Sequence, residues 1–242
     1  MDPKYGERYR DLFERHWWWR ARSRLIVDLL RRLEPAQHWR TILDIGCGDG
    51  LFFPALAQFG DVVGVEPFAE LVNPANPYRN RISTCPFDEH YRPDKQFSLI
   101  LMLDVLEHIK DAATALRHAV SLLEPNGKFV ITVPAFMALW TNHDVMNQHF
   151  VRYTKSSFRA VAQQAGLRID EERYLYHWTC PVKLGIGLTE RVLRTDPKPA
   201  EVPSFAVNES LFWISRIEQK ILTPLSLPFG SSLLVVGSKA NV

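Results

Sequence analysis

Residues 41–50 read Thr41-Ile42-Leu43-Asp44-Ile45-Gly46-Cys47-Gly48-Asp49-Gly50, and the fold follows from them. Ile42, Leu43 and Ile45 have the apolar continuity of a buried parallel strand near its end. Asp44 interrupts that run, where a carboxylate without partners is costly. Gly46, Gly48 and Gly50 then alternate, so the backbone can turn sharply and approach a ligand with no side chain between. Residues 51–59 follow with helical spacing and no turn signal before Gly60. Strand, glycine loop and helix form the layout of a nucleotide-type site, with the ligand at the strand's carboxyl end.

The spacing of the glycines narrows the ligand. A dinucleotide loop, G-x-G-x-x-G, places its third glycine at position 51, which is Leu51 here. A nicotinamide-dependent enzyme is therefore disfavoured. A phosphate-cradling P-loop needs Lys and Ser or Thr after its last glycine, and both are absent. An ordinary tight turn in an α/β domain is the bland alternative.

Composition sets the outer limits. The chain has 242 residues, 46% hydrophobic and 23% charged, with a net charge of +2. That suits one α/β domain with decoration, or two small domains. A nearly balanced charge gives no reason to expect nucleic acid as a partner. Cys47, Cys85 and Cys180 are far apart and form neither a metal spacing nor a disulfide framework, which fits a reducing cytoplasm. No secretory leader and no apolar run of membrane-spanning length is read.

Before the first strand, residues 9–33 read as one or two helices stopped at Glu34-Pro35. Leu25, Ile26, Leu29, Leu30 and Leu33 form the stripe that packs on a sheet. Trp17, Trp18 and Trp19 stand in a row between His16 and Arg20. Consecutive residues point round nearly the whole helix, so one core face does not bury all three. They are expected to pack as core or to cover a pocket mouth.

Asp61-Val62-Val63-Gly64-Val65-Glu66-Pro67 reads as a second buried strand ending in an acid. An acid at that distance from the first strand binds ribose hydroxyls in nucleotide-binding α/β folds. Prolines 74 and 77 break any long helix after it. Residues 81–84 suggest a short third strand, and 85–95 an irregular loop with Asp88. Residues 97–103 are a clear buried strand, followed by Asp104-Val105-Leu106-Glu107-His108. A helix over 111–123, a turn at Glu124-Pro125-Asn126-Gly127 and a strand over 128–133 come next. Residues 135–153 are aromatic, aperiodic and rich in histidine. A helix over 154–165 begins at a Thr154 or Ser156 cap and ends at Gly166. A strand over 167–176, helices over 182–193 and 210–222 with a Pro-rich connection over 196–203, and a strand over 232–238 complete the chain.

Taken in order, L-D-I-G-C-G-D-G, V-V-G-V-E-P, L-D-V-L-E-H and L-L-E-P-N-G-K-F-V-I-T-V-P resemble class I S-adenosylmethionine (SAM) methyltransferases of the type 11/12 kind. That group includes the ubiquinone-pathway O-methyltransferases. The flanks are similar to a bacterial branch carrying H-W-W before the first strand and an H-D…H-x-x-R-Y-T series after the fifth. The resemblance covers nearly the full length.

It implies a Rossmann-like, doubly wound, mostly parallel seven-stranded sheet with an antiparallel last strand. N-terminal and C-terminal helical caps flank that sheet. One domain is expected over 1–242: a helical cap at 1–40, a core at 41–178, a helical insertion at 179–228 and a final strand at 229–242. It implies SAM as cofactor and S-adenosylhomocysteine as product. The resemblance assigns the cofactor to Asp44, Gly46, Gly48, Gly50, Glu66, Pro67, Asp104 and Val105; the relatives' adenine acid has no direct counterpart, and Asp88 or a backbone carbonyl takes that place. Arg22 is the candidate for the cofactor's carboxylate, with Arg20 and Arg24 equally reachable.

In-line methyl transfer asks the enzyme mainly to align the acceptor and exclude water. A hydroxyl acceptor benefits from a base near neutral pH. The candidates are His108, His143 and His149, with Asp144 adjacent as an orienting acid. Their alternatives are packing or surface histidines, or a His/Asp metal site, and no metal is expected. Trp17, Trp18, Trp140, Arg152 and Tyr153 are expected to line the acceptor pocket, which suits an aromatic or lipid-like small molecule. The favoured function is O-methylation. The alternative is a non-catalytic SAM-binding partner or regulatory protein. A monomer or homodimer is expected, and the insertion reads as lid, subunit contact or peripheral membrane contact.

Overall fold

The computed structural model describes residues 3–197 and 199–240. The sequence readings at 1–2, 198 and 241–242 lie outside the described residues. One sheet holds seven strands: β1 Thr41–Ile45, β2 Asp61–Glu66, β3 Ile82–Thr84, β4 Phe97–Leu103, β5 Leu123–Pro134, β6 Leu167–Leu175 and β7 Ser232–Lys239. Their order across the sheet is β3-β2-β1-β4-β5-β7-β6. β1 to β5 run parallel, and β7 runs antiparallel to both β5 and β6. The strand order reverses between β1 and β4. A ligand crevice forms at such a reversal, beyond the carboxyl ends of the strands.

The helices are α1 Pro3–Arg15, α2 Trp17–Leu33, α3 Phe53–Leu56, α4 Ala112–Ser121, α5 Asn142–Met146, α6 Lys155–Ala165, α7 Thr179–Leu193 and α8 Phe205–Ile221. Strand side chains alternate between two cores. Leu43, Ile100 and Ile131 face α4 and α6, meeting Leu116 and Phe158. Ile42, Leu99, Leu101 and Val130 face α2 and α8, meeting Ile26, Leu30 and Phe212. Each fully buried Leu or Ile contributes about 1.5–3 kcal/mol through area removed from water.

Caps set the helix ends. His16 accepts from Trp18 N and separates α1 from α2. Asp111 accepts from Thr114 N to start α4. Thr154, not Ser156, caps α6 through a reciprocal box with Ser157, and Gly166 ends that helix at φ +72°. α2 and α8 are clasped across the chain. Trp17 N donates to Asn208 Oδ1 at 2.8 Å, and Asn208 Nδ2 donates to Arg15 O at 2.8 Å. Arg20 pairs with Glu209, and Gln219 donates to Ala21 O.

Several elements differ from the sequence reading: α1 starts at Pro3 and not at residue 9, α7 at Thr179 and not at 182, and α5 lies in a stretch read as aperiodic. The helix expected over 51–59 is a single turn, α3, with turns either side of it. β5 already starts at Leu123, because the Glu124–Gly127 turn is absorbed as a register shift opposite Phe97 and Leu99. α8 starts at Phe205, five residues before the expected start, since Asn208 is needed in its first turn for the clasp.

Candidate active site

The glycine loop leaves β1 and turns at once. Gly46, Gly48 and Gly50 all lie at positive φ, +73°, +56° and +62°. Gly46 is fixed twice over. A Cβ there would meet Val105 Cγ2 at 2.6 Å, so the loop and the end of β4 need this glycine in order to touch. Gly46 N donates to Val65 O at 2.8 Å, tying the loop to β2.

Glu66 closes β2 and is 4% exposed. Its carboxylate accepts from Gly48 N at 2.9 Å and Phe68 N at 3.1 Å. Burial raises its pKa, against those two bonds. Asp44 is equally sheltered at 5% exposure. Burial pushes it up to about 7, with the charge of Arg22 opposing and that of Glu66 adding. Two desolvated acids thus face a glycine loop.

α1 lies over that loop. Tyr9 comes within 3.5 Å of the position a Gly48 Cβ would take. Arg10 pairs with Asp49, which also accepts from Asn73 N and Asn76 Nδ2. Asp49 was not singled out from the sequence. Its signal was available: an acid inside the glycine loop, which buries it at 7% exposure.

Asp104 follows β4 at φ +57°, a strained conformation for a residue with a side chain. Its carboxylate accepts from Arg22, which is 8% exposed and lies 4.9 Å from the Trp18 ring centre. Of the three arginines considered, only Arg22 faces this region. Arg20 pairs with Glu209 on α8, and Arg24 is exposed. Asp88 is exposed, and its carboxylate accepts from His90 N within its own loop. Pro67 is exposed beside Glu66.

On the β5 side, Asp144 is fully buried and starts α5 through a box with Thr141. It accepts from His149 Nδ1 at 2.8 Å, Arg152 Nε at 2.8 Å and Arg152 Nη2 at 2.9 Å. Burial alone would raise its pKa. The hydrogen bonds from His149 and Arg152 outweigh burial and hold it well below the usual carboxylate range. An ionised Asp144 keeps the His149 proton on Nδ1 and leaves Nε2 free. His149 meets His108 edge-on, with ring centres 4.6 Å apart. His143 is exposed on α5, bonded to Asn147, and 6.2 Å from His149 between ring centres.

Two expectations for the acceptor wall are corrected. Arg152 is 2% exposed and is committed to Asp144 and to Ala135 O, so it positions His149 and does not line a pocket. The aromatic residues do not make one wall. Tyr153 is 3% exposed in the α4/α6 core, packed on Phe158 with its hydroxyl on Leu106 O. Trp17 and Trp18 pack against Tyr176 in the other core, and Trp17 also meets Trp178. The sheet lies between the two sets. No ring pair among the described residues joins Trp140 to either. Lys183 of α7 was missed by the sequence reading because nothing local marks it. It shares a cleft with Thr141, His143 and Glu190, and burial, with Arg152 nearby, lowers its pKa to about 8.

Fold and site together define an α/β protein with a glycine loop and two buried acids at the carboxyl ends of its parallel strands. The comparisons place it within that class. Residues 18–172 match the family model described as "Methyltransferase domain", and the chain belongs to that family, carrying a class I SAM-dependent methyltransferase domain. It is 31% identical over 97 residues to the ubiquinone biosynthesis O-methyltransferase of Bradyrhizobium diazoefficiens, covering 38% of each chain. The match therefore spans about two fifths of that relative's length. Among solved structures, a chain of the Haloferax volcanii complex of the Trm112 methyltransferase activator with a methyltransferase superposes with TM-score 0.62 at 18% identity. That superposition covers 99% of this chain and 96% of the other. A TehB-like SAM-dependent methyltransferase from Corynebacterium glutamicum gives 0.57 at 17%, covering 98% and 100%. At such identities these likenesses show the fold. SAM fits the residues present: the loop's backbone is bare where Val105 forbids a Cβ, and Glu66 and Asp44 are acids held out of water beside it.

Proposed function

We propose that the protein is a SAM-dependent O-methyltransferase acting on a small, lipid-like acceptor. The observation that carries this reading is the Arg152–Asp144–His149 arrangement, a base with its tautomer fixed by a buried acid. His177 and Glu218 form a similar buried pair, but His149 stands beside His108 at the carboxyl ends of the strands. SAM supplies a methyl group on a sulfonium, ready for in-line displacement. Gly46, Gly48 and Gly50 give its methionine part close backbone, Glu66 holds the ribose, and Asp44 faces the amino group. Asp104 and Val105 would border the methyl, with Arg22 keeping Asp104 in place. His149 Nε2 receives the acceptor's hydroxyl proton as the new O–CH3 bond forms and the S–CH3 bond breaks.

α7 and α8 support the lipid-like class of acceptor. Leu188, Val192, Leu193, Phe205, Trp213 and Ile217 are all more than half exposed on them. The acids of these helices turn inward: Glu190 accepts from Asn142 N, Glu209 from Arg20, and Glu218 from His177. Arg191, Arg194 and Lys220 stay exposed beside the apolar side chains. Exposed apolar side chains with cations near them in the chain suit an anionic bilayer surface from which such an acceptor is drawn. No helix among the described residues is long and apolar enough to cross a membrane.

The test is incubation of a cell extract with the protein and deuteromethyl-labelled SAM, read by mass spectrometry. A labelled product carrying the methyl on oxygen is expected. Cofactor binding without any labelled product would instead support the non-catalytic, regulatory reading.

A further inference from the structure

We propose that Lys183 and His143 hold an anionic group of the acceptor, a carboxylate or a phosphate, in the cleft between α5 and α7. The proposal deepens the methyltransferase reading by giving the acceptor a charged end, and it rests on that reading for the transfer step alone. The cleft has a volume of about 400 Å³, and Thr141, Asn142, His143, Lys183, Ile186 and Glu190 line it.

α7 meets the chain at Trp140 along one face. A Cβ on Gly187 would stand 3.1 Å from Trp140 O, so the helix is seated closely there. Lys183 is four residues before Gly187 and Glu190 three after it, which puts both on that face. Lys183 is thereby partly buried. An ammonium drawn out of water costs free energy unless an opposite charge meets it. Among the described residues, Lys183 has neither a hydrogen bond nor an ion pair. Burial, and next the charge of Arg152, lower its pKa to about 8.

The carboxylates whose charge reaches Lys183 already have cations of their own. Asp144 accepts from Arg152 and His149, and Asp104 from Arg22. Glu190 stands two turns along α7, about 10 Å by helical rise. It accepts from Asn142 N at 2.8 Å. Asp196, also at the cleft, is exposed. Lys183 is therefore a surplus cation, and a compact point charge of this kind suits an anionic oxygen group.

His143 supplies the second contact. Asn147 Nδ2 meets its Nε2 at 3.2 Å, which makes Nε2 the acceptor and leaves the proton on Nδ1. An Nδ1–H in that state donates to an anionic oxygen. The His143 ring centre is 6.2 Å from that of His149, so a group held here sits beside the base assigned to the transfer. Ile186 continues the cleft in apolar form, and Leu188, Val192 and Leu193 are exposed further along α7. An acceptor with an anionic end and an apolar body fits this sequence of side chains.

The test uses the full chain with S-adenosylhomocysteine bound and needs no methyl transfer. Octanoate, monooctyl phosphate and 1-octanol are titrated by calorimetry. The anions should bind about tenfold or more tightly than the alcohol, and the tighter of the two identifies the group. Lys183→Met keeps the length of the side chain without its charge and should erase that preference. Lys183→Arg should keep most of it, and His143→Phe should lose about threefold. Lys220→Met, on α8, should change nothing. Affinity for S-adenosylhomocysteine reports an intact fold in each variant, and Lys183→Gln repeats the test if the methionine variant does not fold. Equal binding of anions and alcohol by the unaltered protein, or a preference that survives in Lys183→Met, overturns the proposal. An equal loss in Lys220→Met does so too, since the charge would then act from the surface at large. Failure of the labelled-extract experiment leaves these binding results standing and counts against the methyltransferase reading alone.

Discussion

Arg22 of α2 donates to the carboxylate of Asp104 at the end of β4, and the same guanidinium lies over the Trp18 ring. One side chain thus joins the N-terminal cap to the strand end that borders the crevice. Asp104 is held by it in a backbone conformation that few non-glycine residues adopt. Arg22→Ala should cost about 3 kcal/mol in chemical denaturation, because it strands a largely desolvated carboxylate. Arg22→Lys should recover less than half of that, since the stacked planar group is lost. A loss below about 0.5 kcal/mol in the alanine variant would mean the pair is idle.

Glu66→Ala should weaken SAM binding by about 1–3 kcal/mol, and binding of NAD should be negligible before and after the change. Glu66→Gln separates two roles. It keeps an acceptor for Gly48 N while removing the charge, so loop order survives in it and tight ribose binding does not. Unchanged calorimetric affinity in both variants would rule Glu66 out of the ribose site.

Cofactor affinity should depend on pH through Asp44. Burial raises its pKa from 3.8 to about 7, so the cofactor-free protein holds it protonated in mildly acidic solution. The cofactor's ammonium favours the carboxylate form. Affinity should therefore rise about tenfold from pH 5.5 to pH 7, following the ionised fraction. The same shift acts on stability in the opposite direction. A folded protein that binds the extra proton is favoured below the unfolded pKa and loses that contribution as pH rises through about 7. Asp44→Asn should flatten both dependences, as read by calorimetry and by denaturation at several pH values.

The exposed apolar side chains of α7 and α8 should bind vesicles. Replacing residues 179–228 by a linker does not isolate this surface, since it also removes Asn208, Glu209 and Gln219 from the clasp on α2. Leu188→Ser, Val192→Ser and Trp213→Ser together leave the clasp in place. That variant should lose about tenfold in co-sedimentation with anionic vesicles while binding SAM unchanged. Equal sedimentation would leave these side chains without a bilayer role.

The sequence was most informative where one residue type has one physical use. The glycine loop, the acid after β2 and the Thr154 cap were legible because glycine at positive φ, a desolvated acid and an N-cap hydroxyl each leave a local mark. Long-range partners leave none. Arg152 and Tyr153 are neighbours in sequence, yet one supports Asp144 and the other packs on Phe158 in the core. Glu107 shows the same limit. Its Oε2 is buried without a partner, and its backbone carbonyl accepts from Phe150 N, 43 residues away in the chain.

The clasp between α2 and α8 also fixes a schedule for synthesis. Trp17 N finds its acceptor 191 residues later, on Asn208. At ribosomal speeds of about 5–20 residues per second, the N-terminal helix waits on the order of 10–40 seconds for that partner. Throughout the wait Trp17 and Trp18 have neither Tyr176 nor Trp178 to pack against. Two indole rings left without their partners for that interval should engage a holding chaperone while the residues between 18 and 178 are made.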